Sequence, residues 1–263
     1  EPVVGSSARP LWLIHASPGS SRGLETLMLG LRAAGVTGAI LAPDTLGNGD
    51  SAAPAPEQPE IDYFAGSVVR LCDALGYETI DLYGAHTGAR IACEIAAAFP
   101  QRVGKVVMDG IAEYSRELRD ETLAHYAPAV APDEYGRQLI WAFHFVRDMS
   151  LHFPYFKRDA AHRLAGPVPS PEALHLSAID VLKALGTYHL AYLAVFRYAP
   201  SQRIPLIQAP ALFLRADSEL PILQASADAL SKLLPSPQAQ VARISGAVDG
   251  KAAFCGQRTG ITG

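Results

Sequence analysis

Short apolar runs alternate with segments of helical periodicity along this chain of 263 residues. Residues 11–14 have the pattern of a buried strand, residues 24–31 repeat apolar side chains at helical spacing, and residues 36–42 return to a strand pattern. The alternation continues as a helix, a strand, a helix and a strand at residues 64–75, 80–83, 87–98 and 105–108. Strands separated by helices pair in parallel through right-handed crossovers. The sequence therefore predicts an α/β fold with a doubly wound, mostly parallel sheet.

The alternation breaks over residues 112–200, which have helical patterns, many aromatic side chains and no clear strand. It resumes with a strand at residues 210–217, a helix at 222–234 and a strand at 240–244. The middle segment is therefore an insertion between two strands of one sheet. We predict a core made of residues 1–111 and 201–263, and a helical cap made of residues 112–200.

The charge balance argues against several classes of partner. Lys and Arg number 22 and Asp and Glu number 26, with no basic cluster, which does not favour nucleic-acid binding. The longest apolar run, residues 190–196, is far shorter than the ~20 residues of a membrane span. We therefore expect a protein that acts on a small-molecule substrate and binds neither nucleic acid nor a membrane, and the odd number of widely spaced cysteines favours a reducing cytoplasm. A homodimer is left open.

The three cysteines lie far apart in the sequence. No pair among Cys72, Cys93 and Cys255 has the spacing of metal ligands. Cys72 and Cys93 fall within apolar helical patterns, which predicts buried free thiols. We expect a site without metal or cofactor.

The sharpest local motif is Gly84-Ala85-His86-Thr87-Gly88, between a predicted strand and a predicted helix. This is the context of the G-x-S-x-G nucleophile elbow, a tight turn that exposes its central residue above the sheet. The flanking glycines let the backbones approach closely. The central residue here is His86, where Ser, Cys or Asp is expected.

In four ordered segments the chain resembles the cap-bearing group of the α/β-hydrolase superfamily, which includes esterases, lactonases, epoxide hydrolases and dehalogenases. Residues 15–19 resemble the H-G-x-P oxyanion loop, and residues 44–51 resemble the D-x-x-G-x-G-x-S loop. Residues 84–88 match the elbow except at its centre, and Asp217 matches the usual catalytic acid. We expect His15 and Asp44 to brace their loops. The resemblance implies an α/β-hydrolase fold over residues 10–245 and hydrolase-like chemistry.

The chain departs from the family pattern at two catalytic positions. The family's general base is a histidine after the last strand, but the eight histidines here end at His189, and residues 245–249 contain none. Both the nucleophile and the base of a Ser-His-Asp triad are therefore missing from their usual places. A cap histidine, His144, His152 or His189, could replace the lost base.

We hypothesise that His86 itself acts as a general base. Imidazole titrates near pH ~6.5 and accepts a proton at neutral pH. A carboxylate on its other nitrogen would fix the tautomer and stabilise the imidazolium. The resemblance implies Asp217 for this role, and Asp109, which follows the fourth strand, is the second candidate. Direct nucleophilic attack by His86 is the alternative.

The oxyanion hole is expected to use the backbone N–H groups of Thr87 and Ser17, because backbone donors survive side-chain substitution. A base beside such a hole suits hydrolysis of an activated ester or lactone. It equally suits proton abstraction next to a carbonyl, which would make the protein a lyase, decarboxylase or isomerase. A catalytically inactive ligand-binding homologue would have the same sequence pattern.

One predicted cap helix carries Trp141, His144 and Arg147 among other polar and aromatic residues. As the roof of a pocket, His144 or Arg147 would bind a substrate carboxylate or carbonyl. The alternative is that this helix packs its aromatic side chains on the core and leaves its charges at the surface.

Overall fold

Residues 9–235 and 238–244 are described by a computed structural model, and they contain a six-stranded parallel sheet. The strands are β1 (Leu11–Ile14), β2 (Ile40–Leu41), β3 (Ile80–Ala85), β4 (Val103–Asp109), β5 (Ala211–Ala216) and β6 (Ala239–Ile244). Their order in the sheet is β2-β1-β3-β4-β5-β6. The prediction of a doubly wound parallel sheet is confirmed. The strand order reverses between β1 and β3, and ligands bind at such a point in open α/β sheets.

The helices of the described chain lie between these strands. They are α1 (Glu25–Ala33), α2 (Ile61–Ala74), α3 (Thr87–Ala98), α4 (Arg116–His125), α5 (Arg137–Leu151), α6 (Pro171–Lys183), α7 (Tyr188–Arg197), α8 (Pro200–Arg203) and α9 (Pro221–Leu230). Helix α3 has the bounds predicted from the sequence. Over the described residues, no single helix meets the length and apolarity that a membrane crossing needs; α6 and α7 meet them only together, with a 92° bend between them.

The second strand is much shorter than the predicted segment 36–42. The guanidinium of Arg32 donates to the carbonyl oxygens of Val36 (2.7 Å) and Gly38 (2.6 Å). These carbonyl groups are therefore bonded to a side chain rather than to a neighbouring strand. Only Ile40–Leu41 pairs with β1.

Helices α4–α7 belong to the segment between β4 and β5, which are adjacent strands. Polar contacts join this segment to loops of the core. They are Lys183–Asp50 (2.6 Å), Arg197–Glu60 (2.6 Å), Ser20–Asp180 (3.0 Å) and Thr187 Oγ1 to the Gly47 carbonyl (2.6 Å). The helical insertion is thus fastened beside the sheet end that carries His86.

Apolar side chains cover both faces of the sheet, as parallel sheets require. Trp12 and Ile14 of β1 pack on one face, and Leu11 and Leu13 pack on the other. Helix α3 is buried from Thr87 to Ala97 against the sheet. The elbow that precedes α3 is therefore held on a rigid support.

The thiols of Cys72 and Cys93 are buried and free, as predicted. Burial raises the pKa of the Cys72 thiol to about 11 and that of the Cys93 thiol to about 12. Both groups are therefore protonated at neutral pH. Cys255 lies outside the described residues.

Candidate active site

His86 stands at a strained turn between β3 and α3. Its φ of 50° is the one positive value among non-glycine residues in the described chain, and such a conformation costs about 1–3 kcal/mol. The His86 N–H donates to the carbonyl of Asp109 (2.7 Å). A Cβ atom at Gly88 would clash with the backbone carbonyl of Ile14, and one at Gly84 would clash with the carbonyl of Gly88. The two glycines are therefore required for the close approach of β1, β3 and α3.

The imidazole of His86 is paired with a carboxylate. Its Nε2 lies 3.3 Å from Oε1 of Glu219, and the His86 side chain is 43% exposed. A carboxylate at this distance favours the tautomer with the proton on Nε2 and the lone pair on Nδ1. A Cβ atom at Gly110 would lie 2.8 Å from Nδ1, so glycine leaves room for that edge of the ring.

The acidic partner of His86 in the structure is Glu219 rather than the predicted Asp217. Asp217 is exposed in the turn that follows β5, where its N–H donates to the Ile244 carbonyl (3.1 Å). The chain reverses through Asp217 and Ser218, which brings the next acidic residue to the elbow. The sequence does place two acidic residues, Asp217 and Glu219, directly after β5, which indicates that either could supply the carboxylate.

The second predicted acid, Asp109, is buried beneath the elbow at 1% exposure. Its Oδ2 accepts a hydrogen bond from the Tyr83 hydroxyl (2.6 Å), and its backbone carbonyl accepts from His86 N. Asp109 therefore supports the turn through its backbone, and its side chain is directed to Tyr83.

The loop after β1 meets the elbow at Ser17. Its N–H, predicted as an oxyanion donor, instead donates to Oγ1 of Thr87 (3.3 Å). The Ser17 hydroxyl is buried and has no hydrogen-bond partner among the described residues. The Thr87 N–H, in the first turn of α3, has no acceptor within its own helix. Ser17 and Thr87 both belong to residues that line one cavity, so the Ser17 hydroxyl and the Thr87 N–H are the candidate donors here.

His15 and Asp44 hold the loops around the site, as expected. The His15 Nδ1–H donates to the Ala16 carbonyl (2.7 Å), and Nε2 accepts from Thr45 N (3.0 Å). Burial lowers the pKa of His15 despite that backbone hydrogen bond. Burial alone would raise the pKa of Asp44, but hydrogen bonds from the N–H groups of Ser21 (2.7 Å) and Asp50 (2.9 Å) outweigh it and lower that pKa.

A cavity of about 350 Å³ lies in front of His86. Its polar lining comes from the core and consists of Ser17, His86, Thr87, Arg90, Ser218 and Glu219. Its other wall is largely apolar and aromatic, and includes Tyr114, Tyr126, Met149, Phe153, Leu164, Tyr192, Val195 and Phe196. The arrangement suits a small, partly apolar molecule whose reactive group faces the elbow. Sequence reasoning missed Arg90 and the aromatic wall, although the many aromatics of residues 112–200 were a signal for the latter.

In the described chain, the three cap residues predicted to bind substrate do not line this cavity. Trp141 stacks on Phe145 with 4.9 Å between ring centroids. Arg147 is bound to the carboxylate of Asp148 (2.8 and 3.0 Å), and His144 is exposed. Helix α5 thus uses its aromatic face for packing, which is the alternative given by the sequence. The cavity lining also contains none of the cap histidines proposed as substitute bases.

Comparison with known proteins agrees with this architecture. The chain matches the family model described as the alpha/beta hydrolase fold over residues 9–247. It is 31% identical over 142 residues to 2-hydroxymuconate semialdehyde hydrolase of Pseudomonas sp., a match that spans 53% of this chain and 49%, or about half, of that relative. A hydrolase from Pseudomonas aeruginosa has a TM-score of 0.69 at 17% identity, covering 98% of this chain and 91% of its own.

A second solved structure, the enol-lactonase from Burkholderia xenovorans, has a TM-score of 0.65 at 17% identity and covers 99% of this chain and 94% of its own. At such identities the likeness shows the fold. The family model, however, matches nearly all of the chain. This protein belongs to the α/β-hydrolase fold family.

Proposed function

We propose that this protein is a hydrolase that cleaves a small, partly apolar ester or lactone, with His86 as general base and Glu219 as the carboxylate that orients it. The observation that carries the proposal is the 3.3 Å approach of His86 Nε2 to Glu219 at the wall of the cavity. The name of one solved relative, an enol-lactonase, supports a lactone substrate, and that of a second relative, 2-hydroxymuconate semialdehyde hydrolase, supports a small carbonyl compound.

The reaction begins with the proton on Nε2, facing Glu219. Nδ1 accepts a proton from a water molecule, and the water oxygen attacks the substrate carbonyl carbon. General-base catalysis of this kind contributes ~10²–10⁴-fold. The carboxylate stabilises the imidazolium that forms, as in a catalytic triad.

The tetrahedral intermediate carries a negative oxygen. The Thr87 N–H and the Ser17 hydroxyl are placed to donate to it, and one such donor contributes ~10²–10³-fold. The intermediate then collapses, the bond to the leaving oxygen breaks, and the imidazolium returns its proton to that oxygen. No covalent enzyme intermediate is required. Direct attack by His86 through an acyl-imidazole is the alternative.

A second reaction is favoured by one specific feature, the presence of a base where a nucleophilic hydroxyl normally stands. Such a base beside oxyanion donors can remove a proton next to a carbonyl and stabilise the enolate. That chemistry belongs to a lyase, decarboxylase or isomerase. It needs the same cavity and the same imidazole.

Turnover of a panel of p-nitrophenyl esters and lactones tests the proposal. We expect hydrolysis by the full chain, a loss of at least ~10²-fold in His86→Ala, and no change in the matched control His144→Ala, since His144 is exposed outside the cavity. Activity in His86→Ala equal to that of the wild type would remove His86 from the mechanism.

Two further measurements separate the alternatives. A serine-directed fluorophosphonate should leave the protein unlabelled, whereas labelling at Ser17 would reveal a serine nucleophile. If no ester or lactone is hydrolysed, the hydrolase proposal fails. Deuterium exchange at the carbon next to a ketone, followed by NMR, then detects the second reaction. Absence of both activities would indicate a binding protein.

A further inference from the structure

Arg90 is a buried cation in the wall of the cavity. It lies one turn after His86 on α3 and is 2% exposed. Its guanidinium donates to two backbone carbonyls, those of His86 (3.2 Å) and Ala112 (2.8 Å). No carboxylate lies within 4.0 Å of it in the part of the chain that the structure describes. Its charge is therefore uncompensated by the protein there.

Two other buried acids, Glu94 and Asp148, are paired with arginines. The carboxylate of Glu94, one turn further along α3, accepts two hydrogen bonds from Arg203 (2.7 and 2.8 Å). The buried Asp148 is bound by Arg147 and Arg158. Arg90 differs from these residues in having no partner of opposite charge within residues 9–235 and 238–244, although an unpaired buried charge is costly.

The guanidinium also retains hydrogen-bonding capacity. Of its five N–H groups, the Nε–H is buried and has no acceptor among the described residues. The ring of Tyr114 covers one face, with its centroid 5.4 Å from Cζ, and this ring lines the same cavity. Nε shares with Nη2 the edge of the guanidinium that binds a carboxylate through two parallel hydrogen bonds, and Nη2, which donates to the Ala112 carbonyl, has a second N–H.

We propose that Arg90 binds a carboxylate of the substrate. This inference rests on the proposed function, because it assigns a substrate class to the same cavity. Because Arg90 and His86 lie one turn apart, the carboxylate and the reacting carbonyl are separated by only a few bonds. The substrate class is a small carboxylic acid that also carries an ester, lactone or ketone group.

Binding tests the inference independently of turnover. Short oxo-carboxylates are titrated calorimetrically into the full chain, each matched with its primary amide, which has nearly the same size and no charge. We expect the carboxylates to bind at least ~10-fold more tightly. We expect Arg90→Gln to abolish this preference and the control Arg147→Gln, outside the cavity, to retain it. Equal binding of acid and amide to the wild type, or an unchanged preference in Arg90→Gln, overturns the proposal.

Three further measurements complete this binding test. Thermal unfolding verifies that Arg90→Gln is folded; if it is not, Arg90→Lys replaces it, and the preference must fall by at least ~5-fold because lysine lacks the fork. Inorganic phosphate binding more tightly than every carboxylate would contradict the ligand class. The titrations are repeated in His86→Ala, where a retained carboxylate preference supports the role of Arg90 even if the catalytic proposal fails.

Discussion

The Nε2 atom of His86 and the Oε1 atom of Glu219 approach to 3.3 Å, which joins the turn after β3 to the loop after β5. The pair lies at the wall of a cavity whose opposite side is mainly aromatic. An imidazole oriented by a carboxylate is the base-and-acid half of a hydrolase triad. Here it stands at the position where relatives carry the nucleophile.

The carboxylate of Glu219 should matter more for catalysis than that of Asp217. Glu219→Gln removes the charge that stabilises the imidazolium, so kcat should fall by roughly 10–100-fold. Asp217→Asn, at the exposed turn position, should change kcat by less than ~3-fold. Steady-state kinetics of both variants test the order. A larger loss in Asp217→Asn would return the acid to the position implied by the family pattern.

The Ser17 hydroxyl should contribute through the transition state. It is buried beside Thr87 and has no hydrogen-bond partner in the described part of the chain, so Ser17→Ala should lower kcat by ~10²-fold and leave KM nearly unchanged. Ser150→Ala is the matched control, because its hydroxyl bonds to the Val146 carbonyl in α5. Steady-state kinetics measure kcat for Ser17→Ala and for the wild type. Equal values would be incompatible with an oxyanion role for this hydroxyl.

Gly88→Ala should destabilise the fold itself. The added Cβ would overlap the carbonyl of Ile14 and force β1 and α3 apart, at a cost of about 1–3 kcal/mol or more. Gly166→Ala meets no atom within 4 Å and serves as the control. Urea unfolding should show a lower midpoint for Gly88→Ala only. The same midpoint for both variants would mean that the elbow tolerates a side chain.

We expect the free energy of unfolding to decrease at acidic pH because of His15. Its pKa in the folded state lies below the unfolded value of about 6.5, because burial disfavours the imidazolium. The unfolded state therefore binds more protons below that pH, and the free energy of unfolding falls as the pH decreases from about 6.5, by at most ~1.4 kcal/mol per pH unit.

The slope of the free energy of unfolding against pH tests whether His15 causes this loss of stability. Between pH 7 and pH 5, His15→Gln should flatten the pH dependence of unfolding relative to the wild type, although the variant is less stable at pH 8. Denaturant titrations at each pH measure the difference. Parallel curves for the two proteins would assign the acid sensitivity to other groups.

Much of the scaffold could be predicted because apolar periodicity encodes it. Helix α3 and the elbow follow from two glycines and a buried helical pattern, and the parallel sheet follows from the alternation of elements. The strand predicted at 36–42 is longer than the observed one. Apolar periodicity does not reveal that the Arg32 side chain donates hydrogen bonds to two carbonyl groups of this segment.

The site was harder to predict than the fold. The turn after β5 selects Glu219 over Asp217, and no pattern specifies the direction in which a two-residue reversal points a side chain. Arg90 falls within an apolar helical pattern, so its burial beside a cavity depends on the tertiary packing of Tyr114 over it. The prediction that Trp141, His144 and Arg147 of α5 form the roof of the pocket is not met, because the helical spacing does not specify whether this face packs on the core or lines a cavity.

The pH dependence of kcat/KM tests the role of His86 most directly, because that profile reports the ionisation of the free enzyme's essential base. The account predicts a single rising limb in the wild-type protein, governed by one proton, and its disappearance together with most of the activity in His86→Ala. A profile that is independent of pH, or one that is the same in His86→Ala as in the wild type, would contradict it.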